Sequence, residues 1–342
     1  MSIYQRLYPL LDLLDPETAH GLSLRAMGAL GAITPLRERL RRSALPPGPG
    51  ALELMGLSFQ NPIGLAAGYD KDGRGWRGLA ALGFGHIEVG TVTPRPQLGN
   101  PRPRIFRLRE DGALINRLGF PGKGSDAVAK ALTGPRPKGL ILGVNIGKNK
   151  DTPNERASED YLALLPPFAP LADYLVVNVS SPNTQGLRHL QARDALEALI
   201  SALVGALGPL RESLGKPLPL LVKLAPDLDS AALEAAVGAA VEGGISGTVA
   251  TNTTVSREGL KSVNSREMGG LSGAPLEARS TETIQQIHRL SGGALPIIGV
   301  GGVMGVDDAQ RKLDAGASLV QIYTGLVYGG PGLVRELIRG VA

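Results

Sequence analysis

The sequence predicts an α/β protein built as a closed parallel (β/α)8 barrel, the TIM-barrel architecture, with an N-terminal two-helix extension. Three observations carry this. From residue 60 onward, eight short apolar, β-rich runs alternate with helical patterns, as parallel strands joined by crossover helices do. Every run ends in a polar or Gly-rich group, where barrel enzymes place their chemistry. The Gly-x-Gly-x-x-Gly fingerprint of the competing open, doubly wound sheet is missing after the first run.

Residues 1–45 differ from the rest. Ile3, Leu7, Leu10, Leu11 and Leu14 share one helical face. Asp15-Pro16-Glu17 reads as an N-cap, a first-position Pro and a first-turn acid. It opens a second helix with Ala19, Leu22, Ala26, Met27 and Leu30 on one side. Pro46-Pro47-Gly48-Pro49-Gly50 reads as a linker, dividing 1–45 from a barrel domain of 46–342. The two helices either pack on the barrel or lie on a membrane, apolar faces in lipid and Arg at the headgroups. Arg95, Arg102, Arg104, Arg107 and Arg109 fall in one loop region and would extend that surface.

The predicted strands cover 63–67, 86–90, 140–145, 174–178, 220–223, 247–251, 297–300 and 319–323, and helical patterns cover 195–207, 230–242 and 281–290. The strand ends read, in order, Ala67-Gly68-Tyr69-Asp70-Lys71, Gly90-Thr91, Asn145, Asn178, Lys223, Thr251-Asn252-Thr253, Gly299-Val300-Gly301-Gly302 and Tyr323-Thr324-Gly325. The last two form the usual phosphate site of such barrels. Gly301-Gly302 lets backbone N–H groups approach an anion, and a short helix after Tyr323 would favour negative charge. The loop Gly269-Gly270-Leu271-Ser272-Gly273 could add another close backbone approach.

The run Tyr174-Leu175-Val176-Val177 stops at Asn178-Val179-Ser180-Ser181-Pro182-Asn183-Thr184, where Pro and Asn force the chain out of the sheet. Lys223 closes an apolar strand. It either snorkels to solvent or stands as a fixed charge beside a ring that becomes anionic, as a flavin does. Lys71, in a Gly-flanked turn, is either a surface Lys or the partner of a carboxylate. Asn116, Asn178, Asn183 and Asn252 each offer a donor pair and an acceptor. Together they suit a small ring with alternating N–H and C=O groups, such as a pyrimidine; singly each is a turn residue.

Composition narrows the classes. Of 342 residues, 43% are hydrophobic and 20% charged, an ordinary globular balance. Aromatics at 4% argue against a base-stacking nucleic-acid binder. The net charge of +5 fits either a solvated surface or anionic partners. There is no Cys, which removes disulfides, thiolate metal sites, iron–sulfur clusters and a Cys nucleophile. The four His, at 20, 86, 189 and 288, lack ligand spacing, so no metal is expected. No apolar run reaches the ~20 residues that span a bilayer, and the N-terminus does not read as a signal peptide.

These motifs together resemble the dihydroorotate dehydrogenases, in their membrane-associated, quinone-dependent class. The likeness covers nearly the whole chain. It includes Ala66-Ala67-Gly68-Tyr69-Asp70-Lys71-Asp72, the run Gly90–Gln97, Asn116-Arg117-Leu118-Gly119-Phe120, the run Gly143–Asn149, the run Asn178–Thr184, Ala250-Thr251-Asn252-Thr253-Thr254, Gly299–Gly302 and Gln321–Gly325. The resemblance implies oxidation of (S)-dihydroorotate to orotate in pyrimidine synthesis, with electrons passing through FMN to a membrane quinone. It makes Ser181 the base taking the C5 proton, with Thr184 and Phe120 shaping the relay that a weak hydroxyl base needs. FMN would be held by Ala67, Gly68, Tyr69, Asp70, Lys71, Thr91, Asn145, Asn178, Lys223, Thr251, Gly273, Gly302, Tyr323 and Thr324. Dihydroorotate would be held by Lys71, Asn116, Arg117, Leu118, Gly119, Phe120, Asn178, Asn183, Asn252 and Thr253. The soluble classes use a Cys base in this loop, and Ser181 stands there instead. His20 and Arg107 match positions lining the quinone tunnel, which the N-terminal helices form. The expected state is a monomer in peripheral contact with lipid on the cytoplasmic face of the cell membrane, with no nucleic-acid partner. A tRNA dihydrouridine synthase, of similar fold, would need the missing Cys. A non-catalytic flavin or nucleotide binder would not need Ser181, Lys71 or the Asn set.

Overall fold

A computed structural model describes residues 3–45 and 51–341. The linker predicted at 46–50 lies outside the described residues, as do the side chains of Ile3, Leu7 and Leu10. Eight parallel strands close a barrel in sequence order. They are β1 (Ile63–Leu65), β2 (His86–Val92), β3 (Ile141–Ile146), β4 (Tyr174–Asn178), β5 (Leu220–Leu224), β6 (Gly247–Ala250), β7 (Ile297–Val300) and β8 (Leu319–Ile322). All eight predicted strands are present, two with the predicted bounds. They were legible because strands buried on both faces carry near-continuous apolar runs.

Side chains of the strands face alternately into the barrel and out to the helices. The inner set is small: Phe59, Tyr174, Val176, Leu221, Val249, Ile298 and Leu319 pack together. Two positions inside must be Gly. A Cβ on Gly64 would stand 2.1 Å from His86 Nε2, and one on Gly143 would stand 2.2 Å from Tyr174 Cζ. An antiparallel hairpin, Leu52–Leu54 with Leu57–Phe59, puts the buried Phe59 under this inner set. The helix Ser230–Glu242 has its predicted bounds. It is capped by Asp229, whose carboxylate accepts the Ala232 N–H at 2.8 Å.

The extension differs from expectation. It has three helices rather than two: α1 (Ile3–Asp12), α2 (Pro16–Ala32) and α3 (Thr34–Ala44). Helix α3 escaped the apolar periodicity because its buried face is Arg37, Arg41 and Ala44. Asp15 does cap α2, accepting the Thr18 N–H at 2.9 Å. The predicted apolar face of α2 is turned, however: Leu22 and Ala26 are exposed, whereas Leu24 and Gly31 are buried. Close backbone approach sets this rotation, since a Cβ on Gly78 would stand 1.9 Å from the Met27 carbonyl oxygen.

The Arg residues at 102, 104, 107 and 109 do not form a free cationic surface. Arg104 pairs with Glu17 of α2 at 2.6 Å and Arg102 does so at 3.0 Å. Arg107 and Arg109 both reach Asp12 of α1. They tie the extension to the barrel. The segment Gly270–Gly273, expected as a loop, is a strand in an antiparallel sheet with Ala113–Asn116 and Ile105–Leu108.

Candidate active site

A concave pocket lined by both apolar and polar side chains opens at the C-terminal ends of the barrel strands, where barrel enzymes carry their chemistry. Every strand except β3 contributes to its wall: Ala67 after β1, Thr91, Asn178, Lys223, Thr251 after β6, Gly301 after β7 and Tyr323 after β8. From the sequence-derived flavin set, Gly68, Lys71, Gly273, Gly302 and Thr324 also line it. From the substrate set, Asn116, Leu118, Gly119, Phe120, Asn183, Asn252 and Thr253 line it, with Ser181 among them.

Seven expected residues do not. Asn145 stands one layer behind, bonded to Thr91. Tyr69 packs edge-on against Tyr323, ring centres 5.5 Å apart. Asp70 is buried and caps a turn, accepting the Arg74 N–H at 2.8 Å and the Gly75 N–H at 2.7 Å. Arg117 points away, paired with Glu267 at 2.6 Å and stacked over the Phe106 ring. Thr184 is buried next to the Ser181 loop. Arg107 holds the end of α1, donating to the Leu14 carbonyl at 2.8 Å. His20 of α2 also lies off the wall, with its ring edge-on to Tyr69 at 4.9 Å. Burial, with help from the charge of Lys71, pulls its pKa down to about 4.

The polar wall has a root that the sequence reading missed. Glu88, fully buried on β2, accepts Asn145 Nδ2 at 2.7 Å and Gln321 Nε2 at 2.8 Å. A carboxylate only accepts, so Asn145 must turn its amide oxygen the other way. That oxygen receives the Thr91 hydroxyl at 2.5 Å and Asn178 Nδ2 at 3.2 Å. Asn178 then presents its own oxygen to the Ser180 hydroxyl and to Asn252 Nδ2, each at 3.3 Å. A lone charge inside the apolar run His86-Ile87-Glu88-Val89 was the available signal. Burial lowers the pKa of Lys223, while the charge of Glu88 opposes that.

At the far end of the cavity, Gly273 and Gly302 have φ of +100° and +75°, the left-handed region open to Gly. A Cβ on Gly302 would stand 2.3 Å from Glu277 Cα. The Ser272 and Thr324 hydroxyls lie 2.8 Å apart there. Tight Gly turns, hydroxyls and the first turn of Thr324–Gly340 make an anion cradle. Ser181 Oγ accepts the Asn183 N–H at 3.3 Å. Lys71 Nζ donates to the Gly68 carbonyl at 2.6 Å, and among the described residues no carboxylate pairs with it.

The family model described as Dihydroorotate dehydrogenase matches residues 51–342. A relative from Anaeromyxobacter sp. (strain Fw109-5), named Dihydroorotate dehydrogenase (quinone), is 54% identical over 96% of this chain and 89% of its own length. One of the same name from Roseiflexus sp. (strain RS-1) is 51% identical over 100% of this chain and 94% of its own. Among solved structures, the Eimeria tenella DHODH in complex with ferulenol superposes with a TM-score of 0.87 at 39% identity. That match covers 98% of this chain and 93% of that one.

Proposed function

This chain belongs to the dihydroorotate dehydrogenase family, and from that premise we propose how its residues perform the reaction. The protein oxidises dihydroorotate to orotate in pyrimidine biosynthesis and uses a quinone as electron acceptor. We assign the flavin as FMN. The anion cradle carries this choice: Gly273, Gly302, Ser272 and Thr324 suit one terminal phosphate, and the Gly302 position leaves no room for a side chain. Bound there, FMN supplies the two-electron acceptor that later yields its electrons to quinone.

The protein groups do the rest. Lys71 and the amides of Asn116, Asn183 and Asn252 bind the carboxylate and ring of dihydroorotate. Ser181, buried at the cavity wall, takes the C5 proton and hands it on towards Thr184, with Phe120 keeping water out. Lys223 supplies positive charge against the flavin ring. The extension at 1–45, seated on the barrel through Arg41 and the Glu17 pairs, admits quinone past His20 and Tyr69, with Arg107 bracing its first helix. Its exposed Leu13, Leu14, Leu22, Ile33 and Leu36 give it an apolar surface for the cytoplasmic face of the membrane. No helix of the described residues is long and apolar enough to cross one.

The testing experiment is anaerobic addition of dihydroorotate to the purified protein. Bleaching of the visible flavin band, with FMN released on denaturation, is the expected result. A band that stays oxidised removes the substrate assignment.

A second result bears on Lys71. Burial pulls its pKa down to about 8. Only the ammonium form attracts a carboxylate, so binding is complete below that pH and lost above it. Orotate affinity, read from flavin absorbance, should fall about tenfold per pH unit above 8. An affinity that stays flat to high pH would remove Lys71 from the carboxylate site.

A further inference from the structure

Arg188 stands on the short 3-10 turn Leu187–Gln191 that follows the Ser181 loop. Its guanidinium bonds to three separate loops. Nε donates to the Ser180 carbonyl at 3.1 Å, Nη2 to the Thr253 carbonyl at 3.0 Å, and Nη1 to the Asp227 carboxylate at 2.8 Å. Asp227, in the loop after β5, is fixed in turn. It accepts the Thr254 hydroxyl at 2.5 Å and the Val255 N–H at 3.1 Å. The Ser180 carbonyl belongs to the peptide that carries Ser181. Neither Arg188 nor Asp227 lines the cavity, so neither touches substrate.

We propose that Arg188 is a positioning residue: it holds the Ser181 loop so that the hydroxyl meets the substrate carbon it deprotonates. The proposal rests on Ser181 being the base. The Arg188–Asp227 pair is mostly buried, with side chains 24% and 13% exposed, and the desolvation of such a pair offsets much of its attraction, so it is weak evidence for net stability. A planar fork shared among three loops instead fixes geometry, which a single-point cation cannot do. Other bonds hold the loop's side chains and its far end: the Ser180 N–H and hydroxyl to Asn178 Oδ1 at 3.3 Å each, Asn252 Nδ2 to Ser180 Oγ at 3.0 Å, Asn100 Nδ2 to the Asn183 carbonyl at 3.3 Å and Asn183 Nδ2 to Asn116 Oδ1 at 3.2 Å; among the described residues Arg188 alone donates to the Ser180 carbonyl.

The test uses the FMN-loaded protein and four variants: Arg188→Gln, Arg188→Lys, Ser181→Ala, and Arg188→Gln combined with Ser181→Ala. Misplacement by about 1 Å costs on the order of 10²-fold, so R188Q should slow anaerobic bleaching by dihydroorotate to about that extent. The slowed step should carry a larger isotope effect with C5-deuterated substrate. Amides of residues 180–184 should exchange hydrogen faster, while FMN affinity stays unchanged. R188K, which keeps the charge and loses the fork, should behave like R188Q. In the Ser181→Ala background, R188Q should add almost nothing. Full recovery by Lys, or an R188Q effect that multiplies unchanged onto Ser181→Ala, overturns the proposal. So does bleaching at the parent rate in R188Q while Ser181→Ala is slow, and that pattern leaves the base intact. Normal bleaching in Ser181→Ala instead removes the base, and the positioning role with it.

Discussion

Ser181→Ala leaves a folded, yellow protein whose flavin dihydroorotate reduces about 10²–10⁴ times more slowly near neutral pH, the usual loss when a positioned base is removed. The folding cost is small because Ser181 Oγ accepts only one 3.3 Å bond, from a half-buried N–H. The deficit therefore lies in the chemistry. Stopped-flow bleaching at saturating substrate measures it, and orotate binding to the same variant should be nearly normal. Ser181→Cys restores a base of a different kind, with activity rising towards the thiol range at about pH 8.5. Parent-like turnover in Ser181→Ala would end the assignment.

Arg41→Met should be among the most destabilising single changes in the extension. The guanidinium is fully buried and donates to the carbonyls of Lys138 at 3.0 Å, Ala80 at 2.9 Å and Phe84 at 2.8 Å, and to Gln60 Oε1 at 2.8 Å. Met fills the stem and strands four acceptors. Each unsatisfied buried group costs about 1–3 kcal/mol, and allowing for relaxation the loss should be about 3–5 kcal/mol. Denaturant midpoints for the parent and variant measure it. The same geometry decides where the extension can be cut. Removing residues 1–33 keeps α3 with Arg41. It should leave dihydroorotate-driven bleaching intact while quinone turnover fails. Removing residues 1–45 takes Arg41 away and should yield an unstable barrel. Equal stability of the two truncations would contradict this account.

The barrel was readable because each strand is an apolar run closed by a polar end, and both signals are local. Most of the candidate cavity followed, since strand ends converge once the barrel closes. What stayed hidden depends on partners far along the chain. Nothing near Arg102 or Arg104 announces Glu17, and nothing near Arg41 announces the carbonyls it satisfies. Helix α3 buries Arg instead of Leu, so a hydrophobic period could not find it. Arg117 and Asp70 sit inside site motifs, yet one reaches Glu267 and the other caps its own turn. Motif membership placed them beside the cavity, and the structure puts their side chains off its wall.

Glu88 sets a direction as well as a charge. Because a carboxylate can only receive, the orientation of Asn145 is settled, then that of Asn178, then that of Asn252. Each amide alone could be turned either way round; anchored at one end, the series has a single spelling before any ligand arrives. With Asn178 and Asn252 against the substrate ring, as proposed, the site would read the order of N–H and C=O groups around that ring as well as their number. An isomer carrying the same groups in mirrored order would set donor against donor, and would be refused for its sequence of polar groups although its shape fits.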